Sequence, residues 1–288
     1  MKVPIGGTQY DVQVVERARV PDALAIVVPC YQAFDLTRVC LDAIERFTDV
    51  PHEVWVVDNG SAPAVVERLR AETRANLILN RTTPWNRGGG LLGWRRPWYR
   101  RPGGGSIANA VALELAARFA TPRWMWVMHN DSLPCRRGWA SYMLGKLGGK
   151  VKGAGVREDE IRVHAMHQSG FVFEFALFRE LGMSFLPGLP AYDVGDLVTV
   201  KLREAGYDVF VCANLHNRPE LRERLPADHW LRDINCDIAF DDAGTPMYLH
   251  LGRGTFRYSK PGSAQAQALS LEDWLRLVRA HVLDRSAA

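Results

Sequence analysis

Two carboxylates in this chain stand where an apolar run stops. Val54-Trp55-Val56-Val57 leads into Asp58-Asn59-Gly60-Ser61, and Trp124-Met125-Trp126-Val127-Met128 leads into His129-Asn130-Asp131-Ser132. A short apolar run bounded by turn-forming residues reads as a buried strand, so Asp58 and Asp131 fall at strand ends. Ligands of open α/β sheets bind in the crevice outside the carboxyl ends of the strands, so both acids face one pocket. A nucleotide and a metal ion suit such a pocket. A plain turn competes for Asp58, because Asp-Asn-Gly is also a turn signal.

The elements that must hold these acids follow from the periodicity. Ala23 to Val28 reads as a strand stopped by Pro29, and Leu36, Val39, Cys40, Ala43, Ile44 and Phe47 form one helical stripe that Asp35 can cap. Glu53 to Val57 is the second strand, residues 64–75 a helix, and Leu77 to Leu79 a third strand. A βαβαβ unit with short crossovers is expected to be parallel and right-handed. Ser106 can cap a helix from Ile107 to Phe119, followed by the strand Trp124 to Met128 and a helix from Arg137 to Leu147. Residues 163–178 are strand-like, 195–205 helical and 207–213 a further strand. Leu271, Trp274, Leu275, Val278 and Val282 make one face of a terminal helix whose role is packing. The expected fold class is α/β, a Rossmann-like, mostly parallel sheet flanked by helices. Residues 1–255 form its domain, and residues 256–288 an amphipathic helical extension.

Composition narrows the class. With 288 residues, 47% hydrophobic and 24% charged, the chain has the profile of a globular domain, and its net charge of +4 is modest. No run approaches a membrane span and the N-terminus lacks a secretory apolar core, so a cytoplasmic place is expected, with peripheral attachment at the inner membrane face an option. Five cysteines without C-x-x-C spacing argue against a disulfide framework or a zinc knuckle. Residues 81–105 carry two Gly-Gly-Gly runs, with Trp85, Trp94, Trp98 and Tyr99 among Arg87, Arg95, Arg96, Arg100 and Arg101. Arginine interleaved with aromatics suits flat or anionic ligands. A lid over bound phosphates is preferred to a dock for a second, phosphate-bearing ligand, and nucleic acid comes last. A solvated insertion is the plain alternative.

The order Val-Val-Pro-x-Tyr, Val-Val-Asp-Asn-Gly-Ser, Ser-x-x-Asn-Ala, His-Asn-Asp-Ser, Tyr-Asp-x-Gly-Asp and a late histidine resembles a family 2 glycosyltransferase of the GT-A fold, from residue 23 to about 213. The resemblance implies that Pro29, Tyr31 and Asp58 hold the nucleobase of a sugar nucleotide, and that Asn109 opens a donor-side helix. A carboxylate accepting from base N–H groups and a ring to stack on agree with this. His129-Asn130-Asp131 takes the place of the family's Asp-x-Asp motif, and a histidine replaces its first acid. Asp131 keeps the metal position, Asn130 lies on the donor side, and His129 either ligates or packs. His250-x-Gly-Arg253-Gly-Thr255 resembles the histidine loop that completes the metal and diphosphate site, with Arg253 neutralising the departing diphosphate. A hydrogen-bonded structural histidine is the other reading of His250. His167 lies in a segment that resembles the acceptor-side strand.

The resemblance further implies an inverting transfer in which Asp196, or else Asp193, removes the acceptor proton. The alternative role for either is to cap the helix after Gly195. The expected cofactor is a divalent ion, Mn²⁺ or Mg²⁺, and the co-substrate a nucleotide-diphosphate sugar. The acceptor is a hydroxyl of a glycan, a lipid-linked glycan or a small molecule, and a homodimer is compatible with the terminal helix. Competing expectations are a retaining GT-A enzyme and a non-catalytic sugar-nucleotide or glycan binding module. A nucleotidyltransferase is disfavoured, because Pro29-Cys30-Tyr31-Gln32-Ala33 has neither the glycine-rich loop nor the basic residue that class needs.

Overall fold

The computed structural model describes residues 1–82, 104–254, 257, 263, 264 and 268–284. The Arg/Trp/Gly segment from Trp85 to Arg101, and Thr255, lie outside the described residues.

The chain begins with a hairpin, β1 (Lys2–Ile5) and β2 (Thr8–Val15). Its two-residue turn is Gly6-Gly7, both at positive φ (54° and 76°), as a tight hairpin that follows strand twist requires. Then come β3 (Leu24–Cys30), α1 (Phe34–Phe47), β4 (His52–Asp58), α2 (Pro63–Glu72), β5 (Asn76–Asn80), α3 (Gly104–Phe119) and β6 (Trp124–Met128). β7 (Ser132–Pro134), α4 (Trp139–Gly145), β8 (Val151–Gly155), β9 (Glu158–Asp159), β10 (Ala165–Met166) and β11 (Gly170–Glu174) follow. The rest comprises α5 (Ala176–Glu180), α6 (Asp196–Glu204), β12 (Asp208–Val211), β13 (Ala213–Asn214), β14 (Asp237–Phe240), β15 (Pro246–His250) and α7 (Leu271–Val278).

Among the described residues the main sheet has nine strands, ordered β1-β2-β5-β4-β3-β6-β11-β8-β12. The βαβαβ unit is parallel, and β6 joins β3 in parallel. β11 lies antiparallel between β6 and β8, and β2 is antiparallel to β5. Seven of the nine strands therefore point one way, all but β2 and β11. The carboxyl ends of β3, β4, β6, β8 and β12 accordingly share one edge.

The strands are apolar on both faces because both faces are covered. Ala25, Val27, Trp55 and Val57 pack with α3, while Leu24, Ile26, Val28 and Val56 pack with Phe34, Leu69 and Trp139 from α1, α2 and α4. The remaining face of α1, with Leu36, Val39 and Ala43, meets Leu249 and α7 residues Trp274 and Val278. α7 thus has the packing role read from its stripe, and the chain continues from it as a wider π-type turn, Arg279–Leu283.

Local details depart from expectation. β3 does not stop at Pro29 but runs to Cys30, Pro29 lying opposite Val57 in parallel register. Asp35 does not cap α1: it sits in the first turn, paired with Arg68, and Ala33 holds the cap position. Ser106 lies inside α3, which begins at Gly104. No described helix is long and apolar enough to cross a membrane.

Candidate functional site: a histidine and aspartate centre

Asp58 ends β4 beside Cys30, the last residue of β3. Its Oδ2 accepts the N–H groups of Gly60 and Ser61, both at 3.1 Å, which fixes the turn. Oδ1 is buried and has no partner. Burial raises the Asp58 pKa, opposed by the bonds from Ser61 and Gly60. The turn reading and the binding reading are therefore compatible, one oxygen serving each. Asn59 donates to the Ala108 carbonyl at 2.6 Å, tying this turn to α3. Pro29 and Tyr31 are half-buried at the neighbouring strand end.

Two strands away in the sheet, the loop after β6 carries His129, Asn130 and Asp131. His129, Asp131 and His250 form a cluster whose ligand atoms all lie within 4.8 Å of one another. Asp131 Oδ1 is 3.8 Å from His129 Nδ1 and 3.6 Å from His250 Nε2. β-pairing explains the meeting of residues so distant in sequence. His250 ends β15 opposite Ser132 of β7, and the Leu251 N–H donates to the Asp131 carbonyl at 3.0 Å. Asp131 Oδ2 accepts the Gly254 N–H at 2.6 Å. A Cβ at residue 254 would stand 2.5 Å from Asp131 Cβ, so only glycine admits this approach.

Two of the imidazoles at this centre, those of His129 and His167, are held neutral. Burial, chiefly, lowers His129 to about 4, with His250 and Arg157 adding to the fall and Asp131 opposing it. His167 is also lowered well below its usual value, by burial and then by Arg157 and the two other histidines. Its ring centroid lies 5.9 Å from both His129 and His250. The Asn109 amide nitrogen lies 3.2 Å from His129 Nε2 and fixes the ring with Nδ1 turned toward Asp131. Asn130 does not face the cluster: its amide donates to Thr37 Oγ1 at 3.1 Å. Both nitrogens of His250 are buried without a partner, an expensive arrangement unless a ligand completes it.

Two imidazoles and one carboxylate are a donor set that suits a divalent transition-metal ion. Arg253 is exposed, at φ 57°, and lines a cleft of about 420 Å³ together with His250. The Asp193 and Asp196 pair lies in a different cluster. Arg162 binds Asp159 and Asp193 through Nη2 at 3.0 and 3.1 Å, and Asp196 through Nε at 3.2 Å. Asp196 Oδ2 also accepts the Asp193 N–H at 2.6 Å. Burial raises the Asp196 pKa against the bonds from Asp193 and Arg162. No hydrogen bond or ion pair among the described residues joins this cluster to the histidines.

The sequence reading missed Arg162, Arg157 and the Gly254 N–H. Arg162 offers no motif; Gly254 was visible only as part of Gly-Arg-Gly.

No protein-family model matches the chain, and no curated protein matches its sequence. Among solved structures the chain is similar to the mannosyltransferase PcManGT from Pyrobaculum calidifontis in complex with GDP-Man and Mn²⁺, at 22% identity over 70% of this chain and 57% of that one, TM-score 0.48. It is also similar to glucosyl-3-phosphoglycerate synthase from Mycobacterium tuberculosis in complex with phosphoglyceric acid, at 15% identity over 66% of this chain and 69% of that one, TM-score 0.44. A third similarity is to TarS 1–349 of S. aureus, at 14% identity over 56% and 50%, TM-score 0.37. The chain thus spans about half to two thirds of the length of these structures.

Proposed function

We propose that the protein transfers a sugar from a nucleotide-diphosphate sugar to a hydroxyl acceptor, with a divalent ion held by Asp131, His250 and His129. The observation that carries this reading is the buried, unpartnered His250 imidazole beside Asp131, two strands from the unpartnered Oδ1 of Asp58. Adjacent strands lie about 4.8 Å apart, so the two sites are separated by roughly 10 Å, the reach of a nucleoside joined to its phosphates.

In this reading Asp58 Oδ1 accepts an N–H of the base and Tyr31 offers its ring. When bound, the ion supplies charge to the diphosphate as the bond to the sugar breaks. Asn109 orients His129, and the Gly254 N–H holds Asp131 in place. Asp196 takes the acceptor proton through Oδ1, which is free of the Arg162 and Asp193 contacts, and burial favours its holding that proton. Asp193 serves Asp196 by donating its backbone N–H. A second reading, retention of configuration, is favoured by the deep burial of Asp196 at 2% exposure within the Arg162 network, where it acts as a structural group.

The test is a thermal-shift screen of UDP, GDP, dTDP and CDP with and without Mn²⁺, since a ligand of the native state raises apparent stability. One nucleotide stabilising only with Mn²⁺, and losing that effect in Asp131→Ala, is the expected result. No shift with any nucleotide overturns the reading. The anomeric configuration of the product separates inversion from retention, and binding without turnover identifies a binding module.

A further inference from the structure

Gln32 stands at φ 59°, in the left-handed region that a residue with a Cβ rarely enters. The Ala33 N–H donates to the Tyr31 carbonyl at 2.7 Å, two residues back, so Gln32 is the centre of a γ-turn of the rare, positive-φ kind. The next bond has the same short span, from the Phe34 N–H to the Gln32 carbonyl at 3.0 Å. The helix that follows gains nothing from this geometry, because Ala33 at the cap position of α1 makes no side-chain cap bond. A backbone bent in this way persists only where its surroundings over-determine it, and such turns cluster at ligand sites.

The neighbouring turn supplies the constraint. β3 and β4 run in parallel register as far as Cys30 and Asp58, and beyond that point no ladder holds the chains together. There the Gln32 N–H donates to Ser61 Oγ at 2.8 Å, and Gln32 Oε1 accepts the Ala62 N–H at 3.2 Å. The Asn59 N–H donates to the Cys30 carbonyl at 2.9 Å. Bonds at Cys30 and Gln32 therefore flank Tyr31 in the chain. On the other side the same seam carries Asp58, with Oδ2 on the Ser61 N–H and Oδ1 unpartnered.

We propose that Gln32 is a positioning residue for the nucleobase: its turn and its two bonds to Ser61 and Ala62 hold Tyr31 at a fixed separation from Asp58. The proposal rests on the sugar-transfer reading for the nucleotide placed between them. Gln32 acts through those two residues and is assigned no contact with the base. Two turns that must be ordered by a ligand cost affinity, and bonds formed beforehand remove that cost. The fold accepts a strained residue and an uncapped helix in exchange for a preformed pocket.

The experiment is calorimetric titration of UDP, GDP, dTDP and CDP into the full chain with Mn²⁺, for wild type, Gln32→Gly and Gln32→Met. Glycine removes both the side-chain bond and the steric cost of the positive φ, whereas methionine keeps the length and the steric cost and loses the acceptor. Affinity for the nucleotide that wild type binds is expected to fall about threefold to tenfold in both variants, the worth of one hydrogen bond. The melting temperature is expected to be unchanged or higher in Gln32→Gly and lower in Gln32→Met. Mn²⁺ affinity without nucleotide, followed by electron paramagnetic resonance, is expected to stay at the wild-type value in both. Ser61→Ala is expected to weaken nucleotide binding too, and the double variant Ser61→Ala with Gln32→Gly to lose less than the two single losses added. Wild-type affinity in Gln32→Gly overturns the proposal and leaves the sugar-transfer reading standing. A fall in affinity that comes with a lower melting temperature and weaker Mn²⁺ binding in Gln32→Gly also overturns it, since that marks a general loss of structure. Wild type that binds no nucleotide overturns both.

Discussion

Acidifying the metal-free protein from pH 7 to pH 5 is expected to cost stability at the buried imidazoles of His129 and His167, and the share of His129 can be worked out. The folded chain lowers this imidazole from 6.5 to about 4, chiefly by burying it, whereas the unfolded chain takes up a proton as soon as the pH falls below 6.5. The contribution is fully present above pH 6.5 and is lost as pH falls from 6.5 toward 4. At 1.36 kcal/mol for each pKa unit the whole loss is about 3 kcal/mol, of which about 2 kcal/mol has gone by pH 5. These are upper values, because a quarter of the side chain remains exposed. Urea unfolding in EDTA at pH 7 and pH 5, for wild type and for His129→Gln, isolates the effect from the titration of carboxylates. Wild type should lose about 1 to 2 kcal/mol more than the variant over that interval. Equal losses would refute the argument that the fold holds this imidazole neutral and ready for a cation. Saturating Mn²⁺ should steepen the pH dependence of wild type, since a metal binds only the unprotonated ring.

Asp58→Asn should keep the turn, because an amide oxygen can still accept from Gly60 and Ser61, yet present an N–H where the carboxylate accepted. Nucleotide affinity measured by calorimetry should fall by about 1 to 3 kcal/mol with little change in melting temperature. Gly254→Ala places a methyl 2.5 Å from Asp131 Cβ and 2.9 Å from Leu36 Cδ1, so Asp131 must shift. Mn²⁺ affinity followed by electron paramagnetic resonance should drop roughly tenfold to a hundredfold. Arg162→Met leaves Asp159, Asp193 and Asp196 without their shared cation and should destabilise the fold by about 3 kcal/mol in urea unfolding. An unchanged midpoint would mean the three carboxylates are solvated after all.

The amphipathic stripe of α1, the apolar runs of β3 and β4, and the acids at the end of β4 and just after β6 were legible because each depends on residues close in sequence. Period and turn chemistry act locally. The N-terminal hairpin around Gly6-Gly7 was missed, since the sequence reading began its strands at Ala23. Helix ends were less so: Asp35 and Ser106 have cap chemistry, yet α1 and α3 begin upstream of both. The antiparallel β11, inserted between β6 and β8, has no local signal, since which strand a segment pairs with is set by what closes the core.

The sequence by itself determined which residues are candidates for the chemistry: Asp58, Asp131, His129 and His250 are read from strand ends and motif order. Only the tertiary structure decided which of them meet. Pairing of β15 with β7 sets His250 against Asp131, and the β6–β11 ladder sets His167 beside them. The same folding puts Asp193 and Asp196 on Arg162 instead of on the histidines, and brings Arg157 against Asp237 from a segment that shares no motif with it. Register between distant strands is a property of the whole buried core, so no window of the sequence contains it.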